Sequence, residues 1–375
     1  MDGVTGDVGQ EELFEHFRME VDKGQETVRI DKYLSEHQPH SSRNRIQKAA
    51  DAGFIHVNDK PVKSNYKVRP GDVITLMLDR PHYDTTIEPE DIPLEVVYED
   101  DDLMVINKPA GMVVHPGHGN YTGTLVNALA WHFLQEGIEL DLTGEDEESE
   151  EGEDGAALSE GSASPDTEQK PDFQKRLGLV HRIDKETSGL LVIAKNEDAG
   201  TSLSRQFFHK TTRRLYTALV WGHVEEDEGT IVGNIGRNKR DRTLMEYYPE
   251  GSEEGKPAVT HYRVIERLGY VTLVECRLET GRTHQIRVHM KHAGHTLFND
   301  KTYGGDQILK GTTFAKYSQF VRNCFDICPR QALHAGTLGF RHPRTGEEMD
   351  FEAPLPADMA RLVEKWREYV SNRNY

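Results

Sequence analysis

The densest run of reactive side chains is His181-Arg-Ile-Asp-Lys-Glu-Thr-Ser-Gly189, which leads directly into the apolar stretch Leu190-Leu-Val-Ile-Ala194. A polar loop carrying His, Arg and Asp and feeding a core strand holds a reactive group rigidly at the lip of a cleft. A second concentration is Glu279-Thr-Gly-Arg-Thr-His-Gln-Ile-Arg-Val-His-Met290. Ile286, Met290 and Ala293 recur on one helical face and Gly294 predicts its stop, while His284, Arg287 and Lys291 fall on a neighbouring stripe. By spacing alone this is either a helix presenting cations beside a Gly-containing turn or a salt-bridged surface helix. No Gly-rich loop cradles a nucleotide and no His/Cys/Asp set has metal-ligand spacing, so neither cofactor nor metal is expected. Cys276, Cys324 and Cys328 cannot make a disulfide framework or a zinc ribbon and read as reduced thiols.

Strands and helices must position these groups. Leu94–Tyr98 and Leu103–Ile106 flank an acidic turn, a hairpin signature, and Asn107–Pro116 leaves the second strand through Pro and Gly into a loop. Asn196 caps a predicted helix with Glu197 and Asp198 in its first turn and Leu203 and Phe207 on its apolar face. Leu215–Trp221 alternates as a strand, which sets Tyr216 opposite Leu215, Leu219 and Trp221.

The chain has 375 residues, enough for two or three domains. It lacks any apolar run approaching the roughly 20 residues of a membrane helix. Met1–His16 is acidic, unlike a secretory leader, so a cytoplasmic protein is expected. The net charge of −19 is unevenly spread: residues 1–27 carry −6, 79–140 carry −10 and 141–172 carry −12, whereas 28–78 carry +4 and 173–375 carry +5. Polyanion binding depends on local fields over about 10 Å, so the total does not exclude RNA. It does argue against indiscriminate coating of nucleic acid. Residues 141–172 are too poor in large apolar side chains to offset their ordering entropy and read as a disordered insertion. Residues 1–27 mix acids with Phe14, Phe17 and Met19, leaving strand or helix open.

Residues 28–78 read as a small basic module. Ser42 is a good cap for a helix bearing Ile46, Ala49 and Ala50, and Gly53 supplies its stop. Phe54–Val57, the turn Asn58–Lys60, and Val73–Leu76 after Pro70-Gly-Asp72 read as a small sheet. Arg43, Arg45 and Lys48 lie around the helix, and Lys60, Lys63 and Lys67 follow the first strand. Such a surface tracks phosphates or is simply solvated. Ile30-Asp-Lys-Tyr-Leu34, Gly53-Phe-Ile-His-Val-Asn58 and Val68-Arg-Pro-Gly-Asp72 together resemble the alpha-L RNA-binding domain named after ribosomal protein S-four.

Lys108-Pro-Ala-Gly-Met-Val-Val-His-Pro116, the His181–Leu191 run, Leu215-Tyr-Thr-Ala-Leu-Val-Trp-Gly222 and Thr280–Met290 resemble, in order and spacing, the RluA family of pseudouridine synthases, most closely its RluD branch. The resemblance spans roughly residues 93–365 and implies an α+β catalytic domain on a central mixed, largely antiparallel sheet, preceded by a small α/β RNA-binding domain. The expected boundaries are an acidic extension at 1–27, the RNA-binding domain at 28–78, a linker at 79–92 and the catalytic domain at 93–370. The implied activity is isomerisation of uridines in ribosomal RNA, in a large-subunit stem-loop, without cofactor, by a monomer acting on RNA or an assembling subunit. Asp184 matches the family's catalytic aspartate, Tyr216 its active-site tyrosine and Arg287 the motif arginine that would keep the aspartate ionised in a dry site. Arg182 matches the arginine that fills the space of a flipped base, while His181, Thr187 and Lys108 read as loop braces. The acidic insertion is longer than the family pattern, and Ile183 stands where leucine is usual. A non-catalytic RNA-binding assembly factor and a glycosidic-bond hydrolase are the rival readings.

Overall fold

The computed structural model describes residues 14–37, 43–78, 86–117, 120–138, 140, 142 and 177–372. The proposed cap Ser42, the Arg45 side chain and the acidic segment 141–172, except Leu142, lie outside these residues. The chain divides into two compact units between Asp84 and Thr85.

In the first unit, β1 (Phe14–Glu20) is followed by α1 (Ile30–His37), α2 (Arg43–Asp51), β2 (Ile55–Val57), β3 (Lys60–Pro61) and β4 (Val73–Leu78). The sheet order is β1-β4-β2-β3, antiparallel throughout. Asn58 and Asp59 both adopt positive φ, as a two-residue hairpin turn requires. Ile30, Tyr33, Leu34, Ile46, Ile55, Val57, Val68 and Ile74 form its core. Phe14–Glu20, left open between strand and helix, is an edge strand of this sheet, so the unit begins upstream of the expected boundary at 28.

The second unit is built on one large sheet. Its strands are β5 (Val96–Glu99), β6 (Leu103–Lys108), β7 (Ser188–Ala194), β8 (Arg213–Trp221), β9 (Glu228–Arg237), β10 (Met245–Tyr248), β11 (Lys256–Arg267), β12 (Val271–Leu278), β13 (Leu333–Arg341) and β14 (Glu348–Glu352). The order is β10-β9-β11-β12-β8-β13-β7-β6-β5, with β14 on β13, and among the described residues the one parallel pairing is β13 with β7. The mixed, largely antiparallel sheet expected from the sequence is therefore present.

Helices cover both faces, which is why the central strands are apolar on both sides. Alternation in β8 sends Tyr216, Ala218 and Val220 toward α3 (Leu125–Gln135) and α5 (Gln285–His292), and Leu219 and Trp221 toward α6 (Ala315–Ile327) and α7 (Ala357–Ser371). β7 is buried along its whole length, its Leu190 and Val192 packing on Leu203 and Phe207 of α4 (Glu197–Phe208). The Asn196 side chain caps α4 by accepting the Ala199 N–H at 2.9 Å, as its position predicts.

Candidate active site

The segment His181–Thr187 enters β7 as a loop whose shape is fixed from several sides. His181 Nε2 accepts the Val192 N–H at 3.0 Å and the ring stacks on Phe207 at 4.4 Å, so the imidazole braces the loop. Burial pushes its pKa down to about 3, reinforced by the nearby Arg214 charge. The Lys108 ammonium is 1 % exposed and donates to Pro109 O, Met112 O and Lys185 O at 2.8, 2.9 and 3.0 Å, tying the 108–112 loop to the residue after Asp184. Burial draws Lys108 down to about 7, against the opposing pull of Asp184 and Glu186. On the other side Arg330 donates to Glu186 O at 3.0 Å while Asp358 holds its guanidinium at 2.7 and 3.0 Å. The loop closes with the Thr187 N–H on Asp184 O at 3.0 Å. Gly189 follows, with φ +123°, opposite Ala335 of β13; a Cβ there would run into the Ala335 carbonyl, so the parallel pairing demands glycine.

Arg287 lies on α5 at 4 % side-chain exposure, which excludes the salt-bridged surface helix. Its Nη1 donates to Asp184 Oδ2 at 3.0 Å, while Nε and Nη2 form a two-pronged pair with the fully buried Asp300 at 2.7 and 2.9 Å. Its guanidinium rests 4.9 Å above the Tyr303 ring. Burial alone would lift the Asp184 carboxyl, but the charges of His284, Arg287 and Arg182 and the Arg287 hydrogen bond outweigh it and leave the pKa below the ordinary value. Burial also pushes His284 below its usual value, so at pH 7 that imidazole is neutral and the arginines hold the aspartate ionised.

Tyr216 sits on β8 between Cys276 of β12 and Ala335 of β13 and is 8 % exposed. Burial raises its phenol pKa, so the hydroxyl stays protonated. Asp184, Arg287, Tyr216 and Arg182 line one cleft of about 590 Å³, mouth included, together with Arg214, Arg282 and His284. Among the described residues Asp184 is the one carboxylate of that lining; it remains 24 % exposed, and Arg182 is exposed. The four positions taken from the sequence thus meet in one place.

Asp300 and Tyr303 escaped sequence reading. They stand on the turn Asn299–Gly305, where Gly305 N–H bonds Asp300 O at 2.7 Å and Trp221 Nε1–H bonds Gly305 O at 2.8 Å. The signal available was a polar Asn-Asp pair after Leu297-Phe298, closed by Gly304-Gly305. The spacing puts His284 on the cation stripe, but in the structure it precedes the helix, with φ +56°.

In the first unit Lys48, Lys60 and Lys63 are exposed. Arg43 is partly committed to the fold: its Nε donates to the buried Asp31 at 3.2 Å, which also accepts from Arg29 and Gln47 and is held down at about 2. Among the described residues, Glu99/His132/Glu136 and Asp100/Asp102/His342 have ligand-like composition. Each already encloses a cation: Lys195 reaches Glu99 and Glu136 at 2.9 and 2.8 Å, and Arg344 reaches Asp102 at 2.6 Å.

Residues 102–292 match the family model described as RNA pseudouridylate synthase, and residues 28–74 match the S4 domain. An uncharacterised RNA pseudouridine synthase of Chlorobaculum parvum is 46 % identical over 349 residues, covering 93 % of this chain and 97 % of the relative. Another from Bacillus subtilis is 45 % identical over 344 residues, covering 92 % and 95 %. The ribosomal large subunit pseudouridine synthase D of Pasteurella multocida is 39 % identical over 346 residues, covering 92 % and 93 %.

Proposed function

Because the chain belongs to the RNA pseudouridylate synthase family, we propose that it converts specific uridines in a stem-loop of large-subunit ribosomal RNA to pseudouridine, with Asp184 as the reacting carboxylate. The observation that carries this reading is the cleft-facing carboxylate held at 3.0 Å by a buried arginine, with a buried tyrosine beside it. The ribosomal substrate draws its support from relatives named as large-subunit enzymes.

The isomerisation breaks the bond from N1 of uracil to C1′ of the ribose, joins C5 to C1′, and moves a proton from C5 to N1. No oxidant or net hydrolysis is needed. An ionised carboxylate serves such a sequence as nucleophile or as proton acceptor. Arg287 supplies the countercharge that keeps it ionised out of water. The uridine must leave its stack, at a cost of a few kcal/mol. Arg182, exposed on the cleft, carries a flat guanidinium suited to stack in the vacated space. Tyr216 provides a ring for the displaced base and a protonated hydroxyl for a hydrogen bond. Lys48, Lys60 and Lys63 of the S4-type unit, all exposed, would track phosphates on structured RNA.

Product analysis tests the proposal. A large-subunit rRNA transcript incubated with the protein should yield pseudouridine at one or a few positions, read by nucleoside mass spectrometry. Unaltered RNA would point to a binding factor, and released uracil to a hydrolase; either outcome overturns the reading.

A further inference from the structure

Two side-chain nitrogens approach the Asp184 carboxylate on the same oxygen: Arg287 Nη1 at 3.0 Å and His284 Nε2 at 3.9 Å from Oδ2. The other nitrogen of His284, Nδ1, lies 2.8 Å from the Tyr303 hydroxyl oxygen, which already accepts the Met245 N–H at 3.2 Å. Tyr303 is buried, so its hydroxyl proton needs an acceptor, and Nδ1 is the one at hand. That bond assigns the ring proton to Nε2, the nitrogen facing Asp184. His284 reaches this place through a left-handed backbone, φ +56° and ψ 21°, a conformation that a non-glycine residue holds only under constraint. Tyr303 therefore supports both donors: its ring lies under the Arg287 guanidinium and its hydroxyl orients His284.

We propose that His284 is a positioning residue: locked as its Nε2–H tautomer by Tyr303, it joins Arg287 in holding Asp184 Oδ2 and leaves Oδ1 as the oxygen that meets the nucleotide. The torsion about an aspartate's terminal bond is broad, and one hydrogen bond leaves the carboxylate plane free to turn. Two donors converging on the same oxygen fix it. The 3.9 Å separation closes to a hydrogen bond when RNA fills the cleft, as distances at reacting groups commonly tighten in the bound complex. Arg182 and Asp300 also act on His284, and Lys291 lies 5.4 Å over the Tyr303 ring.

The inference rests on Asp184 being the reacting carboxylate, and its test separates the two. Full-length His284→Leu, His284→Gln, Tyr303→Phe, the His284→Leu/Tyr303→Phe double variant and Asp184→Asn are assayed on a large-subunit rRNA transcript that the wild type modifies. His284→Leu should lower kcat about tenfold with KM within about twofold, since it misorients the carboxylate and alters one side chain of the cleft while the rest of the RNA-binding surface is unchanged. His284→Gln, which keeps an N–H donor, should recover most of that activity. Tyr303→Phe should lower kcat several-fold in the wild-type background and change nothing further in His284→Leu, because the hydroxyl acts through the histidine. A wild-type kcat for His284→Leu, or effects that multiply in the double variant, overturns the proposal. If His284→Leu does not fold, a wild-type kcat for Tyr303→Phe does the same. Turnover by Asp184→Asn removes the underlying reading and this one with it. An inactive Asp184→Asn beside an unimpaired His284→Leu removes this one alone.

Discussion

At Asp184 burial and charge pull in opposite directions, and charge wins because two guanidinium groups, Arg287 and Arg182, stay charged beside one carboxylate. Asp184→Asn keeps the size of the side chain and removes its negative charge. It should abolish pseudouridine formation while changing RNA affinity by less than about threefold, a change of under about 1 kcal/mol, measured by filter binding and product assay. His181 shows the reverse balance: with no carboxylate beside it, burial prevails and its pKa falls to about 3. Between pH 7 and pH 5 the unfolded chain takes up a proton at this position and the native one does not, so native stability falls with pH. The decrease reaches about 2 kcal/mol at pH 5 for one such group. The stability gap between the wild type and His181→Gln, from urea denaturation, should therefore narrow by about that much from pH 7 to pH 5.

Among the elements, the join of β7 to β13 has the narrowest tolerance. Register pairs Gly189 with Ala335, and the parallel ladder runs directly out of the loop that carries Asp184. Gly189→Ala must push the strands apart or turn φ from +123°, at a cost of about 3 kcal/mol, visible as a lower urea midpoint and as a lower kcat. The strands β7 and β8 and the helices α4 and α5 were legible from apolar periodicity and caps, because those signals are local. The orientation of α5 was not. Its cations were compatible with solvent, and only the turn Asn299–Gly305, more than ten residues downstream, buries Arg287 by delivering Asp300 to it. The left-handed His284 sits in a local turn that the Gln285 N–H closes on Arg282 O at 3.0 Å, whereas the partner of its ring, the Tyr303 hydroxyl, comes from the distant turn.

For the molecule as a whole, the division between Asp84 and Thr85 governs how the RNA-binding role is tested. A deletion of 28–78 would leave β1 without β4, so the cut belongs at the unit boundary. A chain starting at Thr85 should bind structured RNA more weakly. The slope of log K against log salt should drop by about 0.9 for each duplex phosphate that the protein no longer neutralises, and turnover on a minimal stem-loop should suffer less than affinity. An unchanged slope would remove the phosphate-tracking role from Lys48, Lys60 and Lys63. Sequence alone determined the elements around the two reactive runs and much of the basic module, the family, and which aspartate, tyrosine and arginines to examine, since periodicity, turn chemistry and ordered motifs reside in short stretches of chain. Tertiary structure decided that these residues share one cleft, that Asp300 and Tyr303 anchor them, and that Phe14–Glu20 joins the first sheet. Those outcomes depend on packing between segments far apart in the chain, where burial and partner charges, not local pattern, set the free energy.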